Sequence, residues 1–382
     1  MKKCKLLFVV VFAGLFTFCK KSGSQKAVSS PPVVSPVETA VFQKNLVLDS
    51  LMQQKLILDA ADNGAGKAFI TTNITTPANA ALTLNPQPVV YLQTSTTDNQ
   101  AIVETDANRV FVLALQWAVM KDSPEAAQYL NKAKSYLLAW AEVNKATDFM
   151  PGEVSYSKFI YAYSLIKAKL SATDKTVLDA WLTERYTKVY KPFVARNNNW
   201  ETCRLSLIFD IAYVTGDVEM LNFAKQAYRT LLNVNILSGG SSADLIGRDA
   251  YAYHAYNLLF HARILRSIYL QEGPTNGLAW RNIKNDKGES VLSMVMKMKP
   301  YMENPTQYVH IEFLNTEYAP DKLRADYNKP FVPGSVLYVY NELVFSFPTE
   351  VMQTIKVLNS TATPFNRTLT FYLNSLQLSR PI

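Results

Sequence analysis

The chain has 382 residues, 48% of them hydrophobic, with a formal charge of +8 and a pI near 9.1. That is enough apolar material for a large buried core, which excludes a disordered chain. No Lys/Arg run or aromatic-interleaved basic stripe is present, so nucleic acid is excluded as a partner.

Lys2, Lys3 and Lys5 precede an apolar run over 6–18, too short to span a membrane comfortably. Cys19 follows at once, then a Ser/Gly/Gln/Pro-rich stretch. Residues 1–18 therefore read as a signal peptide, Cys19 as a lipidated residue, and 19–40 as a flexible tether. These features predict export to the periplasm or outer membrane, with a lipid anchor as the sole membrane contact. A plain cleaved signal or an uncleaved anchor is the alternative. Removing the three lysines lowers the basic count from 39 to 36, against 31 acidic residues. The mature protein is mildly basic, which suits an acidic ligand. Beyond Cys4 and Cys19 only Cys203 remains, so the fold must hold without an internal disulfide. Three histidines, and no paired CxxC or HExxH, predict no metal site and no cofactor.

The spacing predicts a helix over 43–61 and an irregular Thr/Asn/Pro-rich loop over 71–99. From Asp106 the pattern is strongly helical. Val110, Leu113, Ala114 and Trp117 share one face, and Leu130, Ala133, Leu137 and Trp140 share the next. Ser171 and Asp174 open a helix through Leu178, Trp181 and Leu182. A helix through Leu205, Ile208, Phe209 and Ala212 stops at Gly216. Asp217 caps its successor, which carries Leu221, Ala224, Tyr228 and Leu231. A Ser/Gly loop over 238–242 precedes a long helix expected over 249–270. Helices joined by short turns make an all-α array of antiparallel hairpins, a single domain over 41–382, expected as a monomer.

Three segments carry candidate chemistry. Asn197, Asn198, Asn199 and Trp200, followed by Arg204, read either as a helix cap with a packed tryptophan or as an amide donor at a helix start, where anions are favoured. The stretch 247–256 (GRDAYAYHAY) gathers Arg248, Asp249, Tyr251, Tyr253, His254 and Tyr256. Each tyrosine alone reads as a core aromatic, but the density favours a site. His261, one heptad after His254, reads as structural. His310 and Glu312 alternate with apolar residues as in an extended segment, with Asp321, Arg324 and Tyr327 beyond. No GxSxG is present, and amides and aromatics outnumber carboxylates. The set fits β-elimination from a uronic acid better than hydrolysis or acyl transfer.

Asn198-Asn199-Trp200-Glu201 with Arg204, then Arg248-Asp249-Ala250 and Tyr253-His254-x-Tyr256, resemble the paired motifs of alginate-lyase-type polysaccharide lyases. His310-Ile311-Glu312-Phe313-Leu314-Asn315, with Asp321 and Arg324-Ala325, resembles that family's third block. The resemblance spans roughly 100–345. It implies an incomplete (α/α) toroid with a central cleft, and metal-free cleavage of an acidic polysaccharide by β-elimination. Position by position, Asn199 takes the place of the carboxylate-neutralising amide, and Arg248 and His254 those of the family's arginine and histidine. Tyr253 takes the place of the catalytic tyrosine, with Tyr256 as the alternative. Trp200, Arg204, Tyr256 and His310 are then expected to bind substrate. Trp200 stands where some relatives have histidine, and the 71–99 segment offers only Tyr91 as an aromatic. A non-catalytic, lipid-anchored glycan binder is the competing reading.

Overall fold

The computed structural model describes residues 45–94, 97–359 and 368–379, all within one compact unit. The expected signal peptide, tether and lipidated Cys19 lie outside the described residues. Helices α1 (Ser50–Ala61), α2 (Ala65–Ile70) and α3 (Thr76–Leu82) come first. The helix expected from 43 begins at Ser50, because the Asp49 carboxylate accepts from the Met52 N–H at 2.9 Å and caps it there. The loop expected from 71 is helical up to Leu82. A π-helical turn, Thr71–Thr75, joins α2 to α3. Ile74, Ala78 and Ala81 bury there, and α3 packs on α4, so burial overrides the poor helix propensity of the Thr/Asn text.

Six further helices follow, α4 (Gln100–Met120), α5 (Ala126–Val143), α6 (Met150–Glu153), α7 (Ser157–Ile166), α8 (Ala172–Arg185) and α9 (Asn199–Thr215); apart from the short connector α6, they alternate between an inner and an outer position. Then come α10 (Val218–Asn235), α11 (Ala243–Arg248), α12 (Tyr251–Glu272), α13 (Pro274–Arg281), α14 (Val291–Glu303), α15 (Leu337–Ser346), α16 (Pro348–Asn359) and α17 (Leu369–Ser375). Helices α4, α7, α9, α12 and α15 pack side by side in that order and form the inner layer. Helix α9 shows what this costs in polarity: almost every residue from Thr202 to Val214 is buried, and Ser206 and Asp210 need partners inside. Helices α17 and α1 bridge from α15 back to α4. Outer helices are half polar; α10 buries Leu221, Ala224, Tyr228 and Leu231, the stripe legible in the sequence.

The predicted stops and starts hold where the chemistry is strong. Gly216 adopts φ +79°, a left-handed C-cap that a side chain would disfavour. The Asp217 carboxylate then accepts from the Met220 N–H at 2.8 Å. The Ser171 hydroxyl accepts from the Asp174 N–H at 3.1 Å. The N-terminal parts of the inner helices α4, α7, α12 and α15 line one cavity, with Gln100, Ser157, Tyr256 and Tyr338 among its walls.

Candidate active site

Helix α9 starts as the triple asparagine predicts. Asn198 is extended and its side-chain carbonyl accepts from the Trp200 N–H at 3.2 Å, so the capping role belongs to Asn198. Asn197 is held through its carbonyl by the Asn235 amide at 2.8 Å. That leaves Asn199 as the first helical residue, only 4% exposed, its side-chain amide without a protein partner among the described residues. Trp200 stacks on Phe193 (ring centres 6.2 Å), meets Phe149 edge-on (5.6 Å) and lies 4.1 Å from the Arg196 guanidinium. It is half-buried in that cluster. Arg204, expected to bind substrate, is instead 2% exposed. Its guanidinium makes a bidentate pair with Glu201 and donates to the Tyr190 carbonyl at 2.7 Å. All three of its nitrogens are engaged inside the fold.

The helix expected over 249–270 is α12, which starts two residues later at Tyr251, because the chain before it breaks at Asp249. This residue has φ +51° and separates α11 from α12. Short polar side chains tolerate that conformation, and here it is held from outside. The Asp249 carboxylate accepts from the Asn315 N–H (3.1 Å) and amide (3.0 Å), and its carbonyl accepts from the Phe313 N–H (2.8 Å). His310 also bonds that carbonyl through Nε2 at 3.2 Å, and its ring packs edge-on to Tyr251. So His310 and Asp249 clip the loop after α14 onto the start of α12. The loop is partly ordered by a two-residue antiparallel ladder, β1 (Ile311–Glu312) with β2 (Lys329–Pro330), matching the expected extended pattern.

The break redirects Arg248. On a continuous helix it would align with Tyr251 and Ala255; in the structure it folds over Tyr253. Its Nη2 donates to the Tyr253 hydroxyl at 3.0 Å, and its guanidinium centre lies 4.1 Å from that ring. Nε and Nη2 also pair with the buried Asp321 carboxylate, which in turn accepts from the Thr316 hydroxyl at 3.0 Å. Tyr318 covers the guanidinium at 4.4 Å, and Arg324 approaches the Tyr253 ring at 5.6 Å. Tyr253 therefore sits half-buried beneath two cations.

His254 does not join this set. It is fully buried, with Nδ1 against the Ser242 hydroxyl (3.0 Å) and N–H (3.3 Å), and Nε2 against the Met294 carbonyl (3.0 Å). A carbonyl can only accept, so Nε2 carries the proton. Burial lowers its pKa to about 4 and holds it neutral. It fastens the 238–242 turn to α14, where Gly240 (φ +75°) passes so close to the Ser293 carbonyl that any side chain would clash. His254, expected to be catalytic, has both ring nitrogens bonded inside the fold, to Ser242 and to the Met294 carbonyl. The Tyr256 hydroxyl donates to the Pro151 carbonyl at 3.3 Å beside Cys203, and burial raises its pKa. His261, bonded to Tyr228 and Asn235, is a core residue as expected.

One link was not foreseen. The buried Asp244 carboxylate accepts from the Asn257 amide at 2.6 Å, and the Asn199 backbone N–H lies close enough to favour its charged form. Burial raises its pKa to about 7 despite those donors. Asn257 lies one helical turn beyond Tyr253 on the same face. Asp244 thus ties the Asn199 end of α9 to the Tyr253 face of α12. Its only sequence signal was its place two residues after Ser242, which reads as an ordinary helix start. Among the described residues no cluster of three His, Cys, Asp or Glu side chains could hold a metal ion.

A family model described as alginate lyase matches residues 82–308, more than half of the chain. The fold is similar to the crystal structure of an alginate lyase from Bacteroides ovatus: 13% identity, TM-score 0.63, covering 87% of this chain and 98% of that one. It is also similar to the alginate lyase A1-III, in a histidine-to-alanine variant complexed with a tetrasaccharide: 14% identity, TM-score 0.57, covering 89% and 96%. These are α/α-toroid relatives, so the inner and outer helices described above form that fold. No curated protein matches the chain.

Proposed function

The chain belongs to the alginate lyase family, a family of polysaccharide lyases, and from that premise we propose that it cleaves an acidic, uronate-containing polysaccharide by β-elimination. The observation that carries the mechanism is the Arg248–Tyr253 contact. β-Elimination removes the proton on the carbon beside the uronate carboxylate, builds enolate-like charge there, and expels the glycosidic oxygen to leave a carbon–carbon double bond. Tyr253 as its phenolate takes that proton, becomes the phenol, and gives the proton to the departing oxygen, which restores the phenolate. Arg248, bonded to its hydroxyl and stacked on its ring, stabilises negative charge on the phenolic oxygen during the step. The free Asn199 amide, at a helix N-terminus where anions are favoured, meets the uronate carboxylate. His254 takes no part in the chemistry, and Trp200 and His310 shape the rim. The tetrasaccharide complex of the A1-III relative supports a glycan ligand.

The test is incubation with alginate, polymannuronate, polyguluronate, glucuronan and hyaluronan while following the ultraviolet absorbance of a new unsaturated uronate. Product from at least one is expected. Binding without product on every glycan would return the protein to the non-catalytic reading. Export with lipidation at Cys19 is part of the same proposal. Radiolabelled palmitate should enter the chain in a bacterial host and be lost in Cys19→Ser.

A further inference from the structure

Outside the inner layer, the loop over 191–198 and the outer helix α10 flank an open groove of about 950 Å³. It shares no lining residue with the cavity between the inner helices, and neither Asn199, Arg248 nor Tyr253 lines it. Phe223, Ala227, Leu231 and Val234 recur along it at helical spacing, so it runs about 16 Å along α10. That stripe is not closed over by the fold: Val234 is 44% exposed, and Phe223 and Ala227 are half-buried. Pockets for small ligands span ~300–1,000 Å³, so this groove takes a short run of sugar rings.

Its charge is one-sided. Lys191 and Arg196 are exposed in its wall and make no ion pair among the described residues. The Lys191 ammonium lies 5.8 Å from the Tyr186 ring centre. The Arg196 guanidinium covers the Phe193 and Trp200 rings, at 5.3 and 4.1 Å. These ring contacts hold both cations without neutralising them. Glu201 is the one acid in the lining, and it is buried and bound on both carboxylate oxygens by Arg204. Those two charges cancel, which leaves the two exposed cations to set the local field.

The rest of the wall has the chemistry of a sugar site. Phe193 and Phe223 offer ring surface on which sugar C–H groups pack. Asn197, Gln226 and Thr230 are exposed beside them, and amides and hydroxyls both donate to and accept from sugar hydroxyls. Charge complementarity selects an anionic ligand. Asn198 lines the groove one residue before Asn199, so the groove begins at the turn that carries the amide proposed to meet the uronate.

We propose that this outer groove is a second, non-catalytic site for the acidic polysaccharide, with uronate carboxylates on Lys191 and Arg196 and sugar faces on Phe193 and Phe223. This rests on the reading that the protein acts on uronate glycans.

Isothermal calorimetry on the full chain carrying Tyr253→Phe, titrated with tetramannuronate and with neutral mannotetraose, tests it. Two uronate binding events are expected, one in the catalytic cleft and one in the groove. Gln226→Glu puts a carboxylate into the groove at an exposed helical position. It should weaken one event by about tenfold or more at unchanged melting temperature, and Gln226→Lys should strengthen the same event. Lys191→Gln should weaken it by about tenfold. No event that responds to these variants, or mannotetraose bound as tightly as the uronate, overturns the proposal. A single event that Gln226→Glu weakens keeps the groove and removes the cleft. A single event blind to Gln226 keeps the cleft and removes the groove, so the two readings fail separately.

Discussion

The Arg248 guanidinium donates to the Tyr253 hydroxyl at 3.0 Å while lying 4.1 Å above the same ring. Asp321 fixes it there from the other side. One arginine is therefore both a hydrogen-bond donor to the proposed acid/base and a fixed charge over it. This contact is the reason for proposing Tyr253 as the acid/base ahead of Tyr256, which the sequence left as alternatives.

Tyr256→Phe is expected to keep kcat within a few-fold of the parent. Its hydroxyl is spent on the Pro151 carbonyl, and burial raises its pKa, so the phenolate that would take the proton is hard to form. Steady-state rates on the preferred glycan check this; a loss of about a hundredfold or more would move the acid/base role to Tyr256.

Asn199→Ala should lower kcat by roughly 10²–10³ with little change in KM, the loss typical of one charge-stabilising donor. Asn198→Ala should do the reverse, costing about 1 kcal/mol of stability as a lost helix cap. Melting curves and kinetics on both variants separate the two neighbours. Equal destabilisation in both would make Asn199 part of the cap.

Asp321→Asn should release Arg248. The acid is almost fully buried but the arginine is about a quarter exposed, so the stability loss is moderate, about 1–3 kcal/mol. Turnover should fall more than binding does, and Asp321→Glu should recover part of it. Unchanged kinetics in Asp321→Asn would mean that Arg248 needs no orientation.

Acid stability should depend on His254. Its folded pKa, about 4, lies below the ordinary 6.5, so the neutral form is the one the fold accepts. The stability involved is intact above pH 6.5 and is lost as pH falls through 4, amounting to about 3 kcal/mol. His254→Gln should remove its share of that limb in denaturant titrations at pH 7, 5 and 4, leaving the share of His261, which burial lowers to about 3. Asp244, raised to about 7, slopes the other way: its contribution is complete below pH 4 and lost as pH rises through 7. Asp244→Asn should remove that opposing slope.

Periodicity and capping made most of the helices legible. Leu221, Ala224, Tyr228 and Leu231 had to face a core, and Ser171, Gly216 and Asp217 punctuate helices for local reasons. The 71–82 helix was hidden because its stability comes from packing on α4. In the candidate site, Asn199, Arg248 and Tyr253 could be named from motif resemblance, but their contacts could not. Asp249 takes a left-handed conformation because a loop more than 60 residues later holds it there, and that break alone turns Arg248 onto Tyr253. His254 looked like part of the cluster because sequence adjacency hides direction: a neighbour on a helix points about 100° away. Arg204 was misplaced for a similar reason, since its partner Glu201 sits one turn back on the same helix.

The most direct test of the central claim is the ultraviolet signal of unsaturated uronate from the parent and from Tyr253→Phe, with glycan binding measured on both. The account predicts product from the parent, a fall of about 10²–10⁴ in the variant, and unchanged binding. A Tyr253→Phe protein that turns over at the parent rate would contradict it.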